Sequence, residues 1–251
     1  MKAQISIGAL ALGLMLSGCG GSDDGNLAAV ATNNAAPLTQ IPAPNNGNWT
    51  EIVSETPEGG YRMGNPDAPV KLVEYASITC PHCGQFSTEG GSEGIQNLVR
   101  SGRVSWEYRP YMIFPTDPGL FSLLRCQGAG AFFPLTEQLY ADQRNWAMRG
   151  QTYLEANRVA LQGMDEQARS TALVRATEAD AFFRQRGMTQ QQIDQCLADP
   201  RNLQRVADDT DHANQTDAPP GTPTFIINGE QAQGVGLWPQ LEPALRAAVG
   251  G

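Results

Sequence analysis

Cys80 and Cys83 stand two residues apart, separated by Pro81 and His82, directly after the β-rich run Val70–Ala76. Two thiols at this spacing, at the boundary between a predicted strand and a predicted helix, can close into a disulfide and reopen. The helix start treats them unequally. A cysteine there lies against unpaired backbone N–H groups and the positive end of the macrodipole, both of which favour thiolate over thiol. Thiolate is the species that attacks a disulfide. Cys80 is therefore the candidate nucleophile, and Cys83, one turn inside, the candidate resolving thiol. Pro81 suits a helix start because its missing N–H would be unpaired in any case. His82 can add positive charge or a donor beside the nucleophile; a solvent-facing histidine with no tuning role is the alternative. The competing chemistries are a structural disulfide, half of a zinc site, or copper(I) binding through the same thiolates. Zinc would need four ligands, and His212 stands alone.

Elements must position this pair. Val70–Ala76 reads as a buried strand. A helix from the cysteines to about Arg100 is weakly encoded, because Gly90, Gly91 and Gly94 fall inside it, each costing about 1 kcal/mol relative to alanine. A kink is expected there. Gly102 turns the chain into a second strand over 104–109. The stretch 117–217 reads as mainly helical, with apolar faces on Leu135, Leu139 and Tyr140, on Leu154, Val159 and Leu161, and on Leu173, Val174, Phe182 and Phe183. Two further helices are expected, one opening at Thr189 or Gln190 and stopping near Pro200, the other over 202–214. Thr224–Ile227 is a third strand, followed by the turn Asn228-Gly229. A short strand over 232–235 and a helix over 239–249 complete the pattern.

The ends and the composition bound the partners. Lys2, the apolar stretch Ile5–Leu16 and the small residues after it form a secretory leader, too short to span a membrane. Leu16-Ser17-Gly18-Cys19 resembles the lipobox of bacterial lipoproteins, which implies cleavage after residue 18 and acylation of Cys19. An ordinary secretory signal that happens to contain a cysteine is the alternative. Gly20 after that cysteine resembles the outer-membrane sorting pattern. From Gly20 to about Asn48 the chain is Gly, Ser, Asn, Ala and Pro without a hydrophobic period, as in a flexible tether. The net charge is −9 with no basic cluster, which argues against nucleic acid as a partner class. Of five cysteines, setting Cys19 aside leaves four, an even number suited to an oxidising compartment.

Gly64-Asn65-Pro66-Asp67-Ala68-Pro69-Val70, the motif Cys80-Pro81-His82-Cys83, the segment Gly221-Thr222-Pro223-Thr224-Phe225-Ile226-Ile227-Asn228-Gly229 and the long helical stretch together resemble the DsbA family of thiol–disulfide oxidoreductases. The resemblance covers residues 61–249. It implies an α/β thioredoxin-like fold, in which a central mixed β-sheet is flanked by helices and an all-helical domain is inserted in the middle. The expected divisions are a leader over 1–18, a tether over 19–48, thioredoxin-like parts over 49–116 and 218–251, and the helical insert over 117–217. One departure is that 164–186 is longer and more charged than that region of the family, which puts in doubt whatever docks there.

The resemblance also carries roles. It makes Pro223 a cis-proline whose loop lies against the Cys80 sulfur, where Thr222 can place a hydroxyl near the thiolate; an ordinary trans turn proline is the alternative. Glu74 becomes a candidate proton acceptor for the buried Cys83, with a surface charge as the alternative. Cys126 and Cys196 become a structural disulfide tying two helices of the insert; two free buried thiols are the alternative. The implied partners are reduced or misoxidised exported client proteins and a membrane protein that resets the site. The implied location is the periplasmic face of the cell envelope, lipid-anchored, with the outer membrane favoured over the inner. No cofactor or metal is expected beyond the Cys80–Cys83 disulfide. A reductase or isomerase of the same fold remains the rival within enzymes.

Overall fold

The computed structural model describes residues 38–250. The expected leader, the lipidation candidate Cys19 and most of the expected tether lie outside the described residues. The tether's described end is not free of the domain. The Ile41 amide donates to the Ser101 carbonyl at 2.7 Å, and the Trp49 indole N–H donates to the Ile41 carbonyl at 2.7 Å. Leu38 and Ala43 pack on the core as well. These few apolar residues within a polar stretch dock the chain before the expected boundary at 49. Gly102 makes the docking possible. It has φ +73°, and a Cβ there would lie 2.6 Å from the Ile41 carbonyl oxygen, so only glycine fits this turn.

Six strands form one sheet: β1 (Val53–Glu55), β2 (Tyr61–Gly64), β3 (Val70–Ala76), β4 (Val104–Pro110), β5 (Thr224–Ile227) and β6 (Glu230–Gln231). Their spatial order is β1-β2-β4-β3-β5-β6. The β3–β4 pair is parallel and the others are antiparallel, so the sheet is mixed. The alternation of β3 is decisive for the site. Leu72, Glu74 and Ala76 share one face and are buried, while Tyr75 faces the opposite side in a small second cluster with Ala213 and Ile226.

The β1 and β2 strands escape a sequence reading because they are three and four residues long. The β5–β6 hairpin corrects the strand expected over 232–235. Asn228 and Gly229 both have positive φ, at 51° and 86°. A two-residue turn of this kind sets Glu230 directly opposite Ile227, so the returning strand starts at once.

The helix after the cysteines runs as α1 (Pro81–Phe86), a wide turn over Ser87–Gly91, and α2 (Ser92–Val99). The break falls where the glycines are, with Gly90 at φ +96°. The insert consists of eight helices: α3 (Asp117–Cys126), α4 (Ala129–Ala141), α5 (Gln143–Ala156), α6 (Arg158–Gln162), α7 (Glu166–Ala176), α8 (Ala179–Arg184), α9 (Gln190–Ala198) and α10 (Pro200–Thr216). The last begins at Pro200 rather than Asn202, because Asp199 caps it by accepting from the Arg201 amide. Val159, expected on an apolar face, is 81% exposed. Asn157 ends α5 and resets the helical phase before α6, which turns Val159 outward. The charged segment 164–186 folds as α7 and α8 and buries Leu173, Val174 and Phe183. Finally α11 (Trp238–Val249) buries Leu241, Leu245 and Val249.

Candidate active site

Strand β3 and helix α1 meet at the cysteine pair. Cys80 is the residue before the helix, in extended conformation at φ −68° and ψ 122°, and Pro81 begins α1. This leaves the backbone N–H groups of His82 and Cys83 directed at the Cys80 sulfur. Both cysteines are reduced and buried, Cys80 at 3% exposure. His82 is exposed on the first turn.

The two sulfurs are driven in opposite directions. The pKa of Cys80 is lowered from 9.0 to about 5, first by the hydrogen bond from Cys83, then by the Thr222 side chain and the N–H groups of Cys83 and His82, against the opposing effect of burial. Cys83 is pushed well above the usual thiol range, first by burial, then by donating to Cys80 and by the negative charges of Cys80 and Glu74. One thiol thus becomes a thiolate by keeping the other protonated.

Facing this pair is the loop before β5. The Thr222–Pro223 bond is cis, and the Thr222 carbonyl oxygen lies 3.3 Å from Cys80 Sγ. The Thr222 hydroxyl is buried with no other hydrogen-bond partner, and it lowers the pKa of both cysteines. The structure therefore brings Cys80, Cys83, Thr222 and Pro223 into one place, although Cys80 and Thr222 are 142 positions apart in sequence.

Glu74 points inward, at 2% exposure. Burial raises its pKa from 4.5 to about 8, and the Trp106 indole N–H, donating to Oε2 at 3.0 Å, opposes the rise. At neutral pH this carboxyl is mostly protonated and is electrostatically coupled to Cys83. Trp106, to which the sequence assigned no role, is its hydrogen-bond partner.

Cys126 and Cys196 lie elsewhere. They are bonded to each other at 2.07 Å and join α3 to α9 across a separation of 70 residues. Among the described residues, no group of three or more His, Cys, Asp or Glu side chains is placed to hold a metal.

Sequence reasoning missed a second set of groups, all from the insert, that hold residues 77–80. Asp117, at the start of α3, is fully buried. Its carboxylate accepts from Ser77 Oγ, from the Thr79 amide and from Thr79 Oγ1 at 2.6 Å, as well as from the Ile113 and Phe114 amides at 2.9 Å. Burial raises its pKa against these five donors. In α4, Tyr140 donates to the Ser77 carbonyl at 3.0 Å, so the 2.7 Å bond to Tyr108 must be donated by Tyr108. In α5, Gln143 donates to the Ile78 and Cys80 carbonyls at 2.9 and 2.8 Å. The one sequence signal for this set is Gly84, an unusual residue inside a short helix.

Comparisons place this geometry among known proteins. A family model described as Thioredoxin matches residues 56–246. A Rickettsia bellii protein designated a protein-disulfide oxidoreductase is 21% identical over 184 residues, covering 73% of this chain and 62% of the relative. The chain spans between a quarter and about three fifths of the length of the curated relatives it matches. A solved structure, protein-disulfide isomerase from Novosphingobium aromaticivorans, is similar with a TM-score of 0.71 and 28% identity, covering 76% of this chain and 97% of that one. Wolbachia pipientis alpha-DsbA1 shares the fold with a TM-score of 0.61 at 17% identity, covering 84% and 94% of the two chains. With a family match that takes in both sides of the cysteine site and the whole insert, the chain belongs to the thioredoxin family and has the fold of its DsbA-like members.

Proposed function

We propose that this chain is a protein thiol–disulfide oxidoreductase that exchanges the Cys80–Cys83 disulfide with exported client proteins, chiefly as a dithiol oxidase. The observation that carries the proposal is a pair of buried thiols at a helix start, with the Thr222 carbonyl of the cis Thr222–Pro223 loop 3.3 Å from the Cys80 sulfur and the two thiols biased to opposite acidities.

In the oxidised form, a client thiolate attacks Cys80 Sγ. A bond forms between the client sulfur and Cys80, the Cys80–Cys83 bond breaks, and Cys83 leaves with the electron pair. Cys83 is a basic thiolate and takes up a proton, for which the mostly protonated Glu74 is the coupled source. The client's second thiolate then attacks the client sulfur of the mixed disulfide. Cys80 departs as a stable thiolate, and the client keeps the new disulfide. Two electrons have moved to the protein. Stabilising the reduced state in this way makes the disulfide a stronger oxidant.

Resetting requires a membrane redox partner that accepts those electrons. The cycle needs no metal or organic cofactor. Lipid attachment at Cys19 would hold the domain at the periplasmic face of the envelope, on the outer membrane in preference to the inner. Palmitate labelling that persists in Cys19→Ser would remove the anchor from the proposal.

The direct test is Cys83→Ser, which should stall clients as mixed disulfides on Cys80; recovery of no covalent client would overturn the exchange reading. Isomerisation is the second reading, favoured by the name of the Novosphingobium relative at 28% identity. The reduction potential separates the two. A value near that of thioredoxin, about −270 mV, would remove the oxidase reading.

A further inference from the structure

Gln143 is the first residue of α5 and, with Asn65, one of two buried amide side chains among the described residues. Its side-chain amide donates to two backbone carbonyls of the nucleophile's own loop, those of Ile78 and Cys80. The Cys80 carbonyl is also the acceptor of the first helical bond, from the Gly84 amide at 3.1 Å. Its direction therefore sets ψ of Cys80, and with it the angle at which the His82 and Cys83 N–H groups meet the Cys80 sulfur. A side chain from the insert has hold of the one peptide group that joins the nucleophile to its helix.

The fit is close on the other side too. A Cβ built on Gly84 would lie 2.8 Å from Gln143 Cδ, nearer than real side-chain atoms approach. Gly84 has ordinary helical backbone, so its lack of a side chain answers packing rather than conformation. Alanine would otherwise be the better residue at this point in a helix. The glycine next to the second cysteine and the glutamine that opens α5 form one joint between the two parts of the fold.

We propose that Gln143 is a positioning residue for Cys80, acting through the two carbonyls that it holds, and that Gly84 is glycine to admit it. This rests on Cys80 being the nucleophile. Loss of the amide leaves the Ile78 carbonyl without this donor and frees the Cys80 peptide to turn, so the N–H groups no longer converge on the sulfur. The groups facing that sulfur, namely Cys83, the His82 and Cys83 amides and Thr222, are all unchanged by the substitution.

The test uses the full chain in reduced form and reads the Cys80 thiolate by absorbance at 240 nm and by alkylation rate. Gln143→Met keeps the volume and removes both donors. Its titration midpoint should rise by about one unit, leaving about tenfold less thiolate at pH values below both midpoints. Gly84→Ala should shift the midpoint the same way by displacing the amide. In a Gln143→Ala background, Gly84→Ala should add nothing, since the obstructed side chain is gone. Midpoints equal to the wild type in Gln143→Met and Gly84→Ala, with only thermal stability lowered, would overturn the proposal, as would additive shifts in the double variant. Should the Gln143 variants fail to fold, Gly84→Ala alone decides by the presence or absence of its shift. Failure of the nucleophile reading looks different: the wild-type thiol itself would titrate like a free cysteine.

Discussion

The molecule holds two cysteine pairs whose environments have little in common. Cys80 and Cys83 are three positions apart at one helix start, both free thiols, and split in acidity by burial, by each other and by a facing loop. Cys126 and Cys196 are bonded across two helices of the insert, with the Cys196 sulfur beside the Ser122 carbonyl and Asn202. Neither of the second pair opens a helix: Cys126 is the last residue of α3, and Cys196 lies inside α9. The difference teaches that reactivity comes from donors that favour one thiolate. A crosslink needs only two Cβ atoms at bonding distance in a stable frame.

The sharpest way to break the comparison is to exchange the consequences of losing each pair. Cys80→Ser should abolish disulfide exchange in a reduced-client oxidation assay and leave the fold intact. Cys126→Ser with Cys196→Ser should retain exchange while lowering unfolding free energy by about 4 kcal/mol, the entropy expected for a loop of this length. Equal loss of turnover in both would erase the distinction.

Glu74 sharpens the first pair. Its folded pKa is raised from 4.5 to about 8, so the stability associated with its neutral form is full below 4.5 and is lost as pH rises through 8. Glu74→Gln should therefore gain up to about 5 kcal/mol over the wild type above pH 8 and nothing near pH 4. It should also slow proton transfer to and from Cys83 by about a hundredfold, read as mixed-disulfide resolution. An unchanged resolution rate would return Glu74 to a passive role.

The pH dependence of the reduced state isolates Cys80. Its folded pKa is depressed to about 5, so the associated stability is full above the unfolded value and is lost as pH falls through 5. Between pH 7 and pH 4 the reduced protein should lose about 3 kcal/mol relative to the oxidised protein, which has no such thiol. Glu74 is present in both forms and largely cancels. Parallel denaturation curves at the two pH values would contradict the acidic thiol.

The smallest expected effect is at Thr222. Its hydroxyl lowers the pKa of both cysteines and has no other partner, so Thr222→Val should raise the Cys80 midpoint by about half a unit. No comparable dependence on a neighbouring hydroxyl is expected for the second pair.

Local chemistry is legible without coordinates. Val70–Ala76 reads as a strand and is β3; the cysteine motif reads as a helix start and opens α1; the three glycines imply a kink, and the helix breaks there. Each of these is decided by neighbours in sequence, through alternation, the missing proline N–H and glycine's freedom. What escapes depends on distance. The short strands β1 and β2 form only because β4 is there to pair with them, and Val159 faces water because α6 changes phase after Asn157.

The same division runs through the site. Residue types alone established which two sulfurs could exchange a disulfide and which of them a helix start would make acidic, because that bias arises within a few bonds of Cys80. Tertiary structure decided that Glu74 points inward onto Trp106, and that Asp117, Tyr140 and Gln143 reach from three helices of the insert to residues 77–80. A hydrogen bond between residues 38 or 63 positions apart leaves no periodicity in the chain. It exists only once packing has brought the two segments to within about 3 Å.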